Sequence, residues 1–207
     1  MANQGWVSLL NGGNPFSTGP GTAIVSAATT ATISPVQGST ASDVAAVQPA
    51  GQPYGWFPGL LIRVTAQGYI TTTSTACNYT FFLTARNSNT TSGTYVTLAT
   101  TAAITGTTSV YTGLPWQLQA LIRCTAVATS GNTVSTMGQL EMTHNTTAPT
   151  LGATTGSVDL SAFLPASSGE NAAAVDTTQL QGIALRCTTS TAQGTVALSQ
   201  WLVETLD

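Results

Sequence analysis

Charge is what this sequence has least of. Only 5% of its 207 residues are charged, where about 25% is usual for a soluble domain. Lysine is absent, and the four basic residues, Arg63, Arg86, Arg123 and Arg186, are scattered. Neutralising the roughly 6 to 10 phosphates of a nucleic-acid site takes a cluster of Lys and Arg, so no nucleic-acid partner is expected. A basic arm that gathers RNA is excluded too, because the first basic residue is Arg63. Anionic membrane surfaces fail on the same ground.

Long apolar runs are missing: none approaches the roughly 18 residues of a membrane span, and the N-terminus lacks the basic region of a secretory signal. The chain is therefore expected to be soluble and untargeted. Cysteine is sparse and odd in number, Cys77, Cys124 and Cys187, with no C-x-x-C pair; that pattern fits three small buried hydrophobes better than a disulfide framework or a zinc site. The one histidine, His144, lies in a Thr- and Asn-rich stretch. It stands three residues from Glu141, a spacing that falls on opposite faces of a strand. No G-x-S-x-G elbow, no phosphate-cradling glycine motif and no carboxylate-rich calcium loop occurs. The acids Asp43, Glu141, Asp159, Glu170, Asp176, Glu204 and Asp207 read as solvated groups. No catalytic, metal or cofactor residues are assigned, and the chain is read as no enzyme.

What is present is hydroxyl and small side chains: 40 Thr, 28 Ala, 18 Ser and 20 Gly. Thr and Val recur in short alternating runs separated by Gly, Pro, Asn and Ser, the pattern of an all-β chain. Eight strands are predicted: 22–34, 60–71, 76–86, 94–101, 116–127, 133–142, 182–190 and 195–205. Eight strands fit a two-sheet, jelly-roll-like β-sandwich spanning residues 22–207. Residues 1–21, with Gly12-Gly13-Asn14-Pro15 and Gly19-Pro20-Gly21, read as an extended N-terminal arm. Trp6, Val7, Leu9 and Leu10 give that arm an apolar anchor. Residues 35–58, 145–156 and 165–178 read as long loops of the kind that lie against partners.

Three segments resemble one another: Leu60-Leu61-Ile62-Arg63-Val64-Thr65, Ala120-Leu121-Ile122-Arg123-Cys124-Thr125 and Ile183-Ala184-Leu185-Arg186-Cys187-Thr188. With a period of two, Cys124 and Cys187 point inward and Arg63, Arg123 and Arg186 outward. The arginines either lay their stems over an outer face or sit in a contact between subunits, where Arg is favoured.

The segments Thr80–Thr84 and Tyr95–Thr100 carry no lysine, proline or charge, the devices that keep sheet edges from pairing further. If these are edges, an oligomer packed in a larger assembly has to cover them. Uncharged contacts of this kind are hardly screened by salt, which suits a permanent particle. Among the aromatic anchors, Trp116 and Trp201 are placed in the core by their strands, Tyr111 is a further anchor, and Trp6, Tyr54 and Trp56 suit core and interface equally.

With the strand pattern in place, the chain resembles the small jelly-roll virion proteins of tailed bacteriophages, especially capsid decoration (cement) proteins. The segments that carry the likeness are Trp56-Phe57-Pro58-Gly59 leading into Leu60–Val64, Phe81–Arg86, Pro115–Leu118 feeding Ala120–Arg123, Gly138–Met142 and the closing strand Val196–Leu206. The resemblance implies an eight-stranded sandwich, a homo-oligomer and often a trimer, that sits on the outer capsid surface and bridges neighbouring major capsid subunits. It brings no catalytic residues or cofactors. Candidate interface residues are Trp6, Leu9, Leu10, Phe16, Tyr54, Trp56, Arg63, Arg123 and Arg186. Alternatives are a carbohydrate-binding host-recognition module on a phage fibre, with Tyr54 and Trp56 as its aromatic platform, and another structural subunit of the virion.

Overall fold

The structure, a computed structural model, describes residues 7–9, 30–34, 46–52, 55–87, 94–105, 110–144, 158–166, 170–192 and 194–206. Among them there is no helix. The larger sheet contains β1 (Val7–Leu9), β4 (Leu61–Thr71), β8 (Leu114–Cys124), β9 (Val134–His144), β10 (Val158–Leu164), β11 (Asn171–Ala173) and β13 (Thr195–Leu206), in the order β1-β13-β4-β8-β9-β10, with β11 following β10 along β9. The smaller sheet contains β2 (Thr30–Thr32), β3 (Ala46–Val47), β5 (Asn78–Asn87), β6 (Tyr95–Thr100), β7 (Ile104–Thr105) and β12 (Gln181–Thr189), in the order β2-β12-β5-β6, with β3 on β12 and β7 on β5. Every pairing between these strands is antiparallel.

Alternation makes the sandwich. Along β8 the residues Leu114, Trp116, Leu118, Ala120, Ile122 and Cys124 are buried, while Pro115, Gln119, Leu121 and Arg123 face solvent. β4 alternates in the same way, and β4, β5 and β12 contribute Ile62, Val64, Phe81, Leu83, Ile183 and Leu185 to one apolar core. The rings of Phe81 and Trp116 meet between the two sheets, 5.1 Å apart and tilted by 53°. Large and small residues are matched by register: Trp201 lies opposite Ala66 and Trp116 opposite Gly68. Such matching lets two indoles enter a close-packed core without forcing the strands apart.

The all-β reading with two antiparallel sheets is what the structure shows. Among the described residues there are thirteen strands, where eight are expected from the sequence. Seven of the expected strands correspond to β4, β5, β6, β8, β9, β12 and β13; of 22–34 only Thr30–Thr32 falls in a described strand. β10 is not among the eight because Phe163, an apolar residue on the solvent side, breaks the alternation of Leu160, Ala162 and Leu164. Within the expected arm, Val7–Leu9 forms β1 against the end of β13; Trp6, Leu10 and Phe16 lie outside the described residues, as do the side chains of β1.

Edge placement also needs correction. Thr80–Thr84 lies in β5, an interior strand flanked by β12 and β6. Tyr95–Thr100 is the edge strand β6, but the chain covers part of it itself. The Ala166 N–H donates to the Thr100 carbonyl at 2.8 Å, and the Asn171 side-chain amide donates to the Leu98 carbonyl at 2.5 Å. Ala166, just after β10, and Asn171, at the start of β11, thus cover part of β6.

Candidate interaction face on the larger sheet

Because consecutive outward residues are two apart, the outer face of the larger sheet is a grid with rows about 6.6 Å apart and columns about 4.8 Å apart. Register fixes its rows. Gln200, Gln67, Gln117 and Glu141 are successive partners across β13, β4, β8 and β9. The next row runs Leu202, Thr65, Gln119, Gln139 and Phe163. After it come Glu204, Arg63, Leu121 and Met137, and then Leu206, Leu61, Arg123 and Ser135.

One end of this grid is amide-rich. The Gln67 amide donates to Gln117 Oε1 at 3.3 Å, and the Gln139 amide donates to Glu141 Oε1 at 3.2 Å. Gln117, Gln119, Gln139 and Glu141 surround a depression of about 230 Å³. Beside the amides lies an apolar cluster: Phe163 is 63% exposed, Met137 47% and Leu121 37%. These three, with Arg63, Gln139 and Leu206, line a groove of about 630 Å³, a volume within the range of binding clefts. Phe163 also borders a second groove of about 390 Å³ formed with Ala102, Ala103, Ile104, Ala162 and Ala166. Exposed apolar side chains that cluster in this way mark interaction surfaces, whereas isolated ones do not.

Both arginines described on this face are ion-paired. Arg63 and Glu204, directly opposite on β4 and β13, form an ion pair at 2.6 Å, with the carboxylate side chain only 10% exposed. Arg123 pairs with Glu170 at 3.1 Å, both partners well exposed. Arg186 does not join them. It lies on the outer face of the smaller sheet, its guanidinium 4.1 Å from the centre of the Tyr95 ring, and it donates to the Thr30 carbonyl at 3.3 Å. Arg86 approaches the same ring at 5.4 Å, and the Tyr95 hydroxyl is 3.1 Å from Thr32 Oγ1. All three arginines of the repeated segments therefore point outward as their spacing predicts, but to two opposite faces.

Trp56 is corrected from a possible interface anchor to a core residue: it is 2% exposed. Its backbone N–H donates to the Gln48 carbonyl at 3.1 Å. Tyr54 lies outside the described residues. Leu121, Met137 and Phe163 were not singled out in the sequence. The signal for the first two is their place in the outward register of β8 and β9, two residues from Arg123 and Gln139.

The buried thiols are core residues. Cys77, Cys124 and Cys187 are unbridged and buried. Burial pushes the Cys187 thiol up to about 12 and raises that of Cys124. Burial, reinforced by Cys77, also raises the Tyr79 phenol. Such groups stay neutral and unreactive at ordinary pH. Glu141 and His144 both belong to β9, three residues apart and so on opposite faces, and the side chain of His144 is outside the described set. Asp176 accepts from the backbone N–H and the hydroxyl of Thr178, at 3.0 and 2.6 Å, within its own turn. Among the described residues, no three His, Cys, Asp or Glu side chains converge as a metal site requires.

No protein-family model, no curated protein and no solved structure matches this chain.

Proposed function

We propose that the chain is a structural virion subunit: a jelly-roll-type decoration protein that docks on the outside of an assembled capsid and bridges neighbouring major capsid subunits as a homo-oligomer. The observation that carries this reading is the clustered exposure of Leu121, Met137 and Phe163 along one groove of the larger sheet. A permanent partner surface is the natural cover for such a cluster. The remaining cations of that face are spent on Glu204 and Glu170, so the contact is apolar and amide-mediated. Affinity for one site is modest, and simultaneous engagement by several copies multiplies it.

The test adds purified protein to source particles depleted of it and follows co-sedimentation. Wild-type protein is expected to bind equally at low and high salt, and the Leu121→Ser/Met137→Ser/Phe163→Ser variant to lose binding while keeping its β-sheet circular dichroism. Equal binding by the variant contradicts the assignment. A second reading, recognition of neutral carbohydrate, is supported by the amide cluster of Gln117, Gln119, Gln139 and Glu141, which offers paired donors and acceptors to vicinal hydroxyls beside the exposed ring of Phe163. Retention of the isolated protein on immobilised host-surface glycan, lost in Gln119→Ala/Gln139→Ala, favours it.

A further inference from the structure

On the outer face of the smaller sheet, Arg186 has no carboxylate partner among the described residues, whereas Arg63 and Arg123 on the larger sheet each have one. Its guanidinium donates one hydrogen bond, to the Thr30 carbonyl at 3.3 Å, and packs 4.1 Å from the centre of the Tyr95 ring. A guanidinium carries five N–H donors, so most of that capacity is unspent. A second cation, Arg86, stands 5.4 Å from the same ring centre and adds to the local positive potential.

Two pairs of hydroxyls flank this cation. Thr30 Oγ1 lies 2.6 Å from Thr188 Oγ1, and Thr32 Oγ1 lies 3.1 Å from the Tyr95 hydroxyl. Register gathers them: Arg186 is the partner of Thr32, and Thr188 of Thr30, so the four residues make two adjacent outward rows on β12 and β2. Tyr95 reaches these rows from β6, across β5. In each pair one O–H is donated to the other oxygen, and the second O–H is left to donate elsewhere. Thr30, Thr32, Tyr95, Arg186 and Thr188 are all half-buried rather than sealed.

We propose that this cluster binds a carboxylate-bearing sugar, a uronic or sialic acid unit of an acidic glycan, with Arg186 holding the carboxylate and the two hydroxyl pairs holding neighbouring sugar hydroxyls. A planar, singly charged carboxylate is what one guanidinium fork matches, whereas a nucleic-acid backbone needs more cations than the two gathered here. An acidic peptide side chain would use the guanidinium and leave the spare O–H donors beside it unmet. The site lies on the opposite face from Leu121, Met137 and Phe163, so it stands or falls independently of shell docking and of the amide cluster on the larger sheet.

The test titrates the isotope-labelled full chain with glucuronate, glucose and acetate, following backbone amide shifts by NMR. Glucuronate is expected to give saturable shifts at residues 30–32, 95 and 186–188, weakening as salt is raised. Glucose is expected to give none, and acetate to bind about tenfold more weakly for want of the hydroxyl contacts. Arg186→Gln is expected to abolish saturation. Because that change also removes the stack on Tyr95, Arg186→Lys serves as a second variant: it keeps the charge, loses the planar fork, and is expected to bind about tenfold more weakly. Arg123→Gln, on the other sheet, is expected to bind as wild type does. No saturable shift with glucuronate, shifts centred on the larger sheet, equal affinity for acetate, tighter binding of a triglutamate peptide, or full affinity in Arg186→Gln overturns the proposal.

Discussion

Gly68 on β4 lies directly across from Trp116 on β8, and a Cβ at Gly68 would come within 2.7 Å of the indole and 1.9 Å of the Ala197 carbonyl. The indole and the irregular register of β13 between Leu198 and Gln200 both occupy the space that a side chain would need. Gly68→Ala is expected to cost about 3 kcal/mol or more, read as a lower urea midpoint with little change in slope. A loss below about 0.5 kcal/mol would mean that the strands separate more easily than this packing allows.

Asn171 protects β6 by donating to the Leu98 carbonyl. Asn171→Ala removes that donor and is expected to cost about 1 kcal/mol. The larger effect is expected in aggregation, because an edge carbonyl row becomes available for pairing. Light scattering during a thermal ramp checks it: earlier onset is expected, and unchanged onset contradicts the capping role.

Much of this architecture is legible in alternation. Trp116, Leu118, Ala120, Ile122 and Cys124 announce the inner face of β8, and the repeated Arg-bearing segments correctly give the inward thiols and outward guanidinia. Alternation does not say which strands neighbour which. Phe81–Phe82–Leu83 therefore read as a hazard at an edge when it is an interior strand, and Tyr95–Thr100 read as uncovered because its caps, Ala166 and Asn171, are distant in sequence. Trp56 was ambiguous for a related reason: composition makes it an anchor of some kind, and only the tertiary packing puts it in the core. The candidate face is illegible as a unit, since Leu121, Met137 and Phe163 come from three strands and meet only through register.

The two ion pairs differ in burial, and their removal should differ accordingly. Arg123→Ala breaks an exposed pair with Glu170 and is expected to cost less than about 0.5 kcal/mol. Arg63→Ala strands the nearly covered carboxylate of Glu204 and is expected to cost about 1 kcal/mol. Equal denaturation midpoints for the two variants would contradict this ordering.

Alkaline pH should weaken the fold. In the unfolded chain a thiol loses its proton near pH 8.5, at about its ordinary value, whereas in the fold Cys187 is pushed up to about 12. Burial raises Tyr79 and Cys124 as well. Between these limits the unfolded state binds fewer protons than the folded one, so stability falls as pH rises. Their contribution is complete below the unfolded value. Urea midpoints are expected to decline from about pH 9 towards about pH 12, with part of the slope removed in Cys187→Ala. A flat alkaline profile would show that these groups titrate freely in the fold.

The most direct test of the central claim is cryo-electron microscopy of the native source particle at side-chain resolution. Shell docking predicts density for this chain on the outer capsid surface, with Leu121, Met137 and Phe163 facing major capsid subunits. Density at a tail tip or fibre end, or that face turned to solvent on the capsid, would contradict it.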